Sequence, residues 1–387
     1  MISLVVPTYN ERQNVETLVE RAGTALASTG EKFELIIVDD DSPDGTAGEV
    51  RRLQATRPWL KLLERENARD LSTAVVAGWR TSRGDVLGCM DADLQHPPEM
   101  LPKLVEHLRT SGADIVVASR HVRGGGVSAW SLTRRLISRT ATLLATFILP
   151  GTLGEVRDPM SGFFLLRRQV LRGAALNPTG YKILLEVLAK GDYTRVEEVP
   201  FVFQERAQGG SKIGSSTVLK YLVHLVRISL ETGEATRMTK FALVGLSGVV
   251  VNFFCYRLLV ALLGWTVWAA ASGAAGLAMV NNFIWNEKFT FWETHKAAPD
   301  WGHVLQRFLA FTVFSTAGFL LNVGLVSLLV GRLRVPWAPG LLAGIGLAGL
   351  WNFFVNSNLT WHAWWDRKTL SKTADAGLAR QATQRRS

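Results

Sequence analysis

The chain has 387 residues, of which 48% are hydrophobic and 20% charged, and its formal net charge is +10. This length excludes one small domain, and the abundance of apolar residues favours a membrane protein over a wholly soluble one. The basic excess suits nucleic acid, anionic lipid or phosphate ligands. Because the chain has no nucleic-acid-binding motif, we expect a membrane and phosphate ligands, but no nucleic acid, as partners.

Short apolar runs alternate with amphipathic stretches through about residue 120. This alternation predicts a parallel sheet flanked by helices. The predicted strands are residues 2–6, 34–38, 61–64, 86–90 and 115–119. The predicted helices lie near residues 15–28, 47–55, 73–81 and 100–111.

The sequence Asp-Ala-Asp-Leu-Gln at residues 91–95 directly follows the fourth predicted strand. Side chains alternate along a strand, so Asp91 and Asp93 point the same way and can reach one hard cation that also holds a phosphate oxygen. Gln95 adds a third oxygen on that side. Two earlier strands also end in acidic turns, and the carboxyl ends of parallel strands meet in a common ligand site.

Four ordered motifs, VVPTYNERQN, VDDDSPDGT, MDADLQHPPE and ASRHVRGGG, resemble the family 2 glycosyltransferases. More narrowly, they resemble the dolichol-phosphate mannosyltransferase group, which the later stretches RDPMSGFF, GYKILLEVL and ERAQGGSKIG also fit. The resemblance covers roughly the first 230 residues. It implies an α/β catalytic domain of the GT-A type, the Rossmann-like fold of nucleotide-diphospho-sugar transferases.

The same resemblance implies the roles of individual residues. Asp93 and Arg120 would be catalytic, with Arg120 bridging the donor and acceptor phosphates. The cation, Mg²⁺ or Mn²⁺, would be held by Asp91, Asp93 and Gln95. The donor nucleotide sugar would be bound by Pro7, Tyr9, Glu11, Val38, Asp40, Asp91, Ala92, Asp93, Gln95, Lys182, Arg206 and Lys212. Asp39 and Asp41 are interpreted as turn residues.

A polyprenyl phosphate acceptor is already an anion near neutral pH, so it needs cations rather than a general base, and arginine suits phosphate through its bidentate geometry. Arg134 and Ser138 are four residues apart and share a helix face, so they are predicted to form a headgroup site with Arg120. Arg135 and Arg139 are assigned to lipid phosphate or to a solvated face. Asp158 is held as a general base only for a hydroxyl acceptor.

Two amphipathic helices, about 130–149 and 217–231, are predicted to lie on a membrane surface, and the alternative is that they pack against the soluble core. In the second helix one stripe is apolar and the other polar. The apolar stripe is Leu219, Leu222, Val226 and Leu230. The polar stripe is Lys220, His224, Arg227 and Glu231.

Four apolar stretches, about 241–263, 267–285, 308–330 and 337–358, each approximate the ~20 residues that cross a bilayer. They are two copies of one hairpin, with matching residues 70 positions apart. The matches are Phe241 with Phe311, Gly248 with Gly318, Asn252 with Asn322, Asn282 with Asn352, Asn286 with Asn356 and Thr290 with Thr360. Repeats of two spans are parallel, related by an axis along the membrane normal. This half resembles the four-span GtrA-like membrane domain.

These patterns predict a catalytic domain at 1–232, a membrane domain at 233–363 and a basic, disordered tail at 364–387. Six basic and two acidic residues in the tail place it in the cytoplasm by the positive-inside rule. Four spans return the chain to the side where they began, so the catalytic domain and both termini are expected in the cytoplasm.

The predicted reaction is an inverting, metal-dependent transfer of mannose from GDP-mannose to dolichyl or undecaprenyl phosphate. The nearest alternative is the same reaction with UDP-glucose or another nucleotide sugar. A processive polysaccharide synthase is a second alternative, although the sequence has no Q-x-x-R-W stretch. A third is a lipid carrier or flippase with a vestigial transferase domain.

Overall fold

The computed structural model describes residues 1–66, 69–128, 132–149, 153, 156–177, 180–204, 215–292 and 301–361. The chain folds as two compact units, the first Met1–Thr232 and the second beginning at Gly233. The first unit is α/β and the second is helical. This agrees with the predicted fold class.

The first unit contains a seven-stranded sheet in the order β3-β2-β1-β4-β7-β5-β8. Its strands are β1 Ile2–Thr8, β2 Phe33–Asp39, β3 Leu60–Glu64, β4 Val86–Cys89, β5 Ile115–Ser119, β7 Phe164–Arg167 and β8 Val196–Pro200. The short strands β6 Gly126–Val127 and β9 Val202–Phe203 pair separately.

The parallel sheet predicted from the first 120 residues is confirmed for β1, β2, β3 and β4, but β7, which was not predicted, enters antiparallel between β4 and β5. Parallel neighbours need a crossover connection, and the alternation of strands and helices in the first 120 residues supplies one for each of β1 to β5. The chain between β5 and β7 instead passes through a long helix and re-enters the sheet from the opposite end. No strand–helix alternation marks that return in the sequence.

Helices cover both faces of the sheet, and each face has its own apolar core. One core includes Leu18 and Leu26, and the other includes Trp79 and Phe164. The helices of this unit are α1 Arg12–Ala27, α2 Thr46–Gln54, α3 Leu71–Thr81, α4 Leu101–Thr110, α5 Leu132–Ile148, α6 Ile183–Lys190 and α7 Ser215–Glu231.

Helix α7 packs on the core with a different face from either predicted stripe. Tyr221, Leu225 and Ile228 are buried in the core. His224, a member of the predicted polar stripe, lies on the same face and is only 3% exposed, so the alternative of packing against the soluble core applies to it. Its Nε2 is 4.0 Å from the buried Glu186 carboxylate. Packing against the core therefore leaves the predicted apolar stripe uncovered by this unit, with exposures of 37–64% for Leu219, Leu222, Val226 and Leu230.

The second unit contains four helices that are long and apolar enough to cross a membrane. They are α8 Glu234–Ala261, α9 Val267–Trp285, α10 Trp301–Val326 and α11 Trp337–Val355. Helices α9 and α11 each continue into a π-helical turn, at Asn286–Thr290 and Asn356–Thr360. Helix α8 begins seven residues before the predicted span at 241, because Gly233 in a left-handed conformation starts it at Glu234.

The contacts within this unit confirm the internal repeat. The amide of Asn282 lies against Gly248, and the amide of Asn352 lies against Gly318 at the equivalent place in the second hairpin. A methyl group on either glycine would collide with the amide. Both hairpins are therefore closed by the same contact of a glycine with an asparagine.

Five buried aromatic rings and the partly buried Phe241 lie at the centre of the described part of the unit, and they are three repeat-related pairs: Phe241 with Phe311, Phe283 with Phe353, and Phe291 with Trp361. Phe291 and Trp361 occupy equivalent positions and stack on each other, with ring centroids 4.5 Å apart and planes 6° apart. Equivalent residues can meet in this way only close to the axis that relates the two hairpins.

Glu287 breaks this symmetry. It forms an ion pair with Arg307 and accepts a hydrogen bond of 2.7 Å from the Trp361 indole N–H. Its counterpart in the second hairpin is Ser357. The acidic residue is thus present in one copy, and both of its partners belong to the other copy.

Candidate active site

Three turns at the carboxyl ends of β1, β2 and β4 each contain a non-glycine residue with positive φ. These residues are Asn10 at 56°, Asp41 at 55° and Leu94 at 60°. Such conformations cost about 1–3 kcal/mol each and persist where the surrounding structure fixes them. Because β2, β1 and β4 are neighbours in the sheet, the three turns form one edge.

The structure brings Pro7 and Val38 together, since they are register partners in β1 and β2 and both are buried. Asp40 follows β2 and receives two hydrogen bonds of 2.7 Å from the Arg65 guanidinium. Burial raises the pKa of Asp40 although the Arg65 charge opposes this shift. Sequence reasoning missed Arg65, whose one available signal is its position directly after β3 at the same edge of the sheet.

Tyr9 and Glu11 are half-buried in the turn after β1. The Arg69 guanidinium lies 5.0 Å from the centre of the Tyr9 ring, and Glu11 accepts a hydrogen bond from the Asn14 amide. Asp39 is buried and accepts hydrogen bonds from the Thr8 and Ser42 hydroxyls, which confirms its interpretation as a turn residue.

The Asp-Ala-Asp turn is compact and largely enclosed. The Asp93 carboxylate accepts the Gln95 backbone N–H at 3.2 Å, and Ala92 is buried. Gln95 donates its side-chain N–H to the Gln204 carbonyl oxygen at 3.0 Å, which leaves its Oε1 for another ligand. The side chain of Asp91 is 32% exposed.

Two carboxylates and an amide oxygen suit a cation that shares its ligands with a substrate. Within the part of the chain that the structure describes, no three His, Cys, Asp or Glu residues cluster as a metal site. Mg²⁺ is commonly held by one or two carboxylates together with substrate phosphates. A Cβ on Gly162 would lie 3.0 Å from the Asp91 carboxylate, so this glycine preserves the space beside that ligand. The residues present therefore fit a divalent cation bound with a diphosphate.

Arg120 is held by Asp158. The two Asp158 oxygens accept hydrogen bonds of 2.7 and 2.6 Å from the guanidinium, and one also accepts the Arg120 backbone N–H at 3.0 Å. Asp158 is fully buried. Burial alone would raise the pKa of Asp158, but the Arg120 guanidinium outweighs it and the pKa lies below its usual value. Asp158 is thus the ion-pair partner of Arg120.

Lys182 donates a hydrogen bond of 2.8 Å to the Met160 carbonyl oxygen. Burial, reinforced by the nearby Arg120 charge, lowers the pKa of Lys182 to about 8. Its ammonium group is therefore close to losing its proton at physiological pH. The other two predicted donor cations, Arg206 and Lys212, lie outside the described residues.

A cavity of about 300 Å³ lies beside Arg120 and is strongly basic. Its lining residues are Arg120, His121, Gly126, Val127, Arg135, Ser138 and Arg139. Arg135, Ser138 and Arg139 share one face of α5 because they are three and four residues apart. Arg134 instead lies near Lys182, whose pKa it helps to lower. The structure thus joins Ser138 to Arg120 as predicted, but with Arg135 and Arg139 in place of Arg134.

Comparison with known families agrees with this division of the chain. Residues 3–173 match the family model described as glycosyl transferase family 2. Residues 240–361 match the model described as GtrA/DPMS, transmembrane domain. With four membrane-spanning helices in that domain, the protein is an integral membrane protein.

Three similar proteins are each named dolichol-phosphate mannosyltransferase. The Pyrococcus furiosus protein is 40% identical over 93% of this chain and 99% of its own length. The Saccharomyces cerevisiae protein is 36% identical over 66% of this chain and 96% of its own. The Mycosarcoma maydis protein is 40% identical over 58% and 78%. This chain therefore belongs to the dolichol-phosphate mannosyltransferase family, and it is a glycosyltransferase.

Proposed function

We propose that the protein transfers mannose from GDP-mannose to a polyprenyl phosphate, with inversion at the sugar and with Mg²⁺ or Mn²⁺ as cofactor. The observation that carries this proposal is the basic cavity lined by Arg120, whose charge acts on Lys182 together with that of Asp91 in the acidic turn. An anionic lipid phosphate suits such a cavity, and the names of the similar proteins point to the same substrate.

The donor half is the edge formed by the turns after β1, β2 and β4. Pro7 and Val38 would line the nucleoside pocket, and Asp91, Asp93 and the Gln95 oxygen would hold the cation on the diphosphate. When bound, that cation neutralises charge on the leaving group. Lys182 adds a positive charge to the same region. Because its pKa is lowered to about 8, a bound diphosphate would stabilise the protonated form.

The acceptor half needs cations and no base. Arg120 is fixed by two hydrogen bonds that its guanidinium donates to Asp158, so its remaining surface is pre-oriented toward the cavity. Arg135, Arg139 and Ser138 supply the other contacts for a phosphate. A phosphate oxygen that attacks the anomeric carbon once, opposite the departing diphosphate, gives inversion. This attack needs no group to remove a proton from the acceptor, so Asp158 can remain in its ion pair with Arg120.

The exposed apolar stripe of α7 and the exposed Leu136, Ile137 and Leu143 of α5 suit the surface of a bilayer. We infer that both helices lie there, with domain 1–232 and both termini in the cytoplasm. Single cysteines at exposed Arg123 and at Arg332, the last residue of the π-helical segment Ser327–Arg332 after α10, would test this. A membrane-impermeant thiol reagent should label the Arg332 position in intact cells, and the Arg123 position only after lysis.

The central test uses purified full-length protein, a polyprenyl phosphate, Mg²⁺ and either GDP-mannose or UDP-glucose. We expect radiolabelled mannose in the lipid phase and its loss with EDTA. If only glucose is transferred, the proposed donor changes to UDP-glucose and the proposed mechanism stays the same. Sugar polymer, or no lipid product with either donor, would contradict the proposed reaction.

A further inference from the structure

His96 directly follows Gln95, the last residue of the acidic turn, and its ring is surrounded by aromatic side chains, which we call the aromatic box. Its ring centre is 5.3 Å from Phe163, 5.7 Å from Phe201 and 5.3 Å from Phe203. The residue is only 2% exposed. The Asp91 carboxylate lies 3.6 Å from His96 Nδ1, but burial among the three phenyl rings outweighs this charge and favours a neutral imidazole.

The imidazole makes one directional contact with the acidic turn. The backbone N–H of Asp91 donates to His96 Nδ1 at 3.2 Å. The preceding N–H, that of Met90, still bonds to Val5 in β1. His96 therefore takes the first backbone N–H that the sheet releases. Because Nδ1 accepts this bond, the proton of the neutral ring is on Nε2.

This contact closes the turn on itself. Leu94 stands in the left-handed region at φ 60°, a conformation that a branched side chain adopts only when it is held there. The bond from Asp91 to His96 spans five residues and encloses Leu94, and Asp93 caps the Gln95 N–H inside it. The spacing of the two carboxylates is thereby fixed by a residue that is not itself a ligand.

The same box reaches the acceptor side. The Arg120 guanidinium carbon lies 5.6 Å from the centre of the Phe203 ring, which also faces His96. The imidazole thus lies behind the acidic turn, and Phe203 separates it from the arginine that faces the phosphate cavity. A neutral ring at this place adds no positive charge that would compete for the carboxylates.

We propose that His96 is a positioning residue, whose Nδ1 lone pair fixes the Asp91 backbone and so sets the two carboxylates for a cation–diphosphate complex. The inference rests on the proposed function for the identity of the ligand. It requires a hydrogen-bond acceptor at the Nδ1 position, and not merely a ring that fills the box.

The test compares His96→Phe, which fills the box without an acceptor, with His96→Asn, whose Oδ1 can take the Nδ1 position. Mn²⁺ binding to each full-length protein in the presence of GDP is measured by electron paramagnetic resonance. We expect the Mn²⁺ dissociation constant to rise about 10- to 100-fold in His96→Phe. His96→Asn should stay close to the wild type, and so should the control His107→Asn in α4. The KM for the lipid phosphate should not change in any variant.

Unchanged Mn²⁺ binding in folded His96→Phe would overturn the inference, as would equal losses in His96→Phe and His96→Asn. If His96→Phe does not fold, His96→Gln serves instead, because its carbonyl reaches toward the Nε2 position, and wild-type Mn²⁺ binding by it would again overturn the inference. The binding readout separates two failures. Absence of mannosyl transfer by the wild type contradicts the proposed function, whereas the Mn²⁺ pattern decides the role of His96.

Discussion

The catalytic unit and the membrane unit differ in the polar contacts that hold their buried residues. In the catalytic unit, single charged pairs such as Arg65 with Asp40 and Arg120 with Asp158 are built from residues far apart in sequence. The membrane unit also has one charged pair, Glu287 with Arg307, but its repeated contact is the uncharged one of glycine with asparagine, which occurs twice. Unique charged pairs orient groups for chemistry, whereas duplicated amides hold helices together. We therefore expect the chemistry in the first unit and a scaffold role for the second.

The largest expected difference is between Asp93 and Asn282. Asp93→Asn should lower mannosyl transfer by about 10²–10³-fold, because it removes charge that holds the cation at the leaving group. Asn282→Ala should lower it less than about threefold, since amide contacts between membrane helices contribute about 0.6 kcal/mol on average. Both rates are measured as radiolabelled sugar in the lipid phase. A comparable loss in Asn282→Ala would place part of the active site in the membrane unit.

Asp158→Asn should lower transfer by about 10- to 100-fold, mainly through a higher KM for the lipid phosphate, because it frees the arginine that it orients. The double variant Asp158→Asn with Arg120→Ala should have the same transfer rate as Arg120→Ala alone, because Asp158 acts through Arg120. Asp114→Asn, which removes another well-bonded carboxylate of this unit, is the control. A lost acidic limb in the pH–rate profile of Asp158→Asn would instead indicate a general base.

The affinity for the donor should weaken as pH rises through about 8. The pKa of Lys182 is lowered to about 8 from the usual 10.5, so its proton, and the charge that attracts a diphosphate, are present below that pH and lost above it. The donor KM should rise toward about tenfold per pH unit above 8. Lys182→Arg keeps the charge and should remove this dependence. An identical pH profile in that variant would show that another group is responsible.

The smallest effect on activity is expected from the two membrane glycines. Gly248→Ala and Gly318→Ala should each lower the free energy of unfolding by about 1–3 kcal/mol, because a methyl group displaces the facing asparagine. Thermal unfolding in detergent measures this, and transfer below the melting temperature should stay unchanged. Gly346→Ala is the control, since nothing lies within 4 Å of a Cβ there. Clearly unequal losses at the two sites would contradict the duplicated role.

The sequence predicted the strands that surround the donor edge because those strands are apolar runs closed by acidic turns. It could not predict β7, because antiparallel entry leaves no mark in a four-residue apolar run such as Phe164–Arg167. It predicted one apolar and one polar stripe on α7, but not that His224 is buried. The helix has two apolar faces, and the sequence does not show which of them packs on the core.

At the site, the sequence indicated which residue types gather but not which of them pair. Arg65 and Asp40 are separated by 25 positions, and Arg120 and Asp158 by 38. Only the fold determines which arginine pairs with which aspartate, because many other arginines and aspartates lie in similar local sequences. The face of α5 that meets Arg120 was also undetermined, since Arg134 and Arg135 lie on adjacent faces of one turn.

The single Glu287 in the membrane unit has a consequence for how hairpins find each other. The two hairpins are near copies, so in a membrane that holds many chains they could pair in three ways. In a pair of first hairpins, Arg237 and Phe291 would stand where Arg307 and Trp361 contact Glu287, so the indole hydrogen bond would be lost. In a pair of second hairpins, Ser357 would face Arg307, so the ion pair would be lost. Only a first hairpin with a second one matches Glu287 to both Arg307 and the Trp361 indole. One acidic residue thereby makes unlike pairing the favoured assembly of a duplicated sequence.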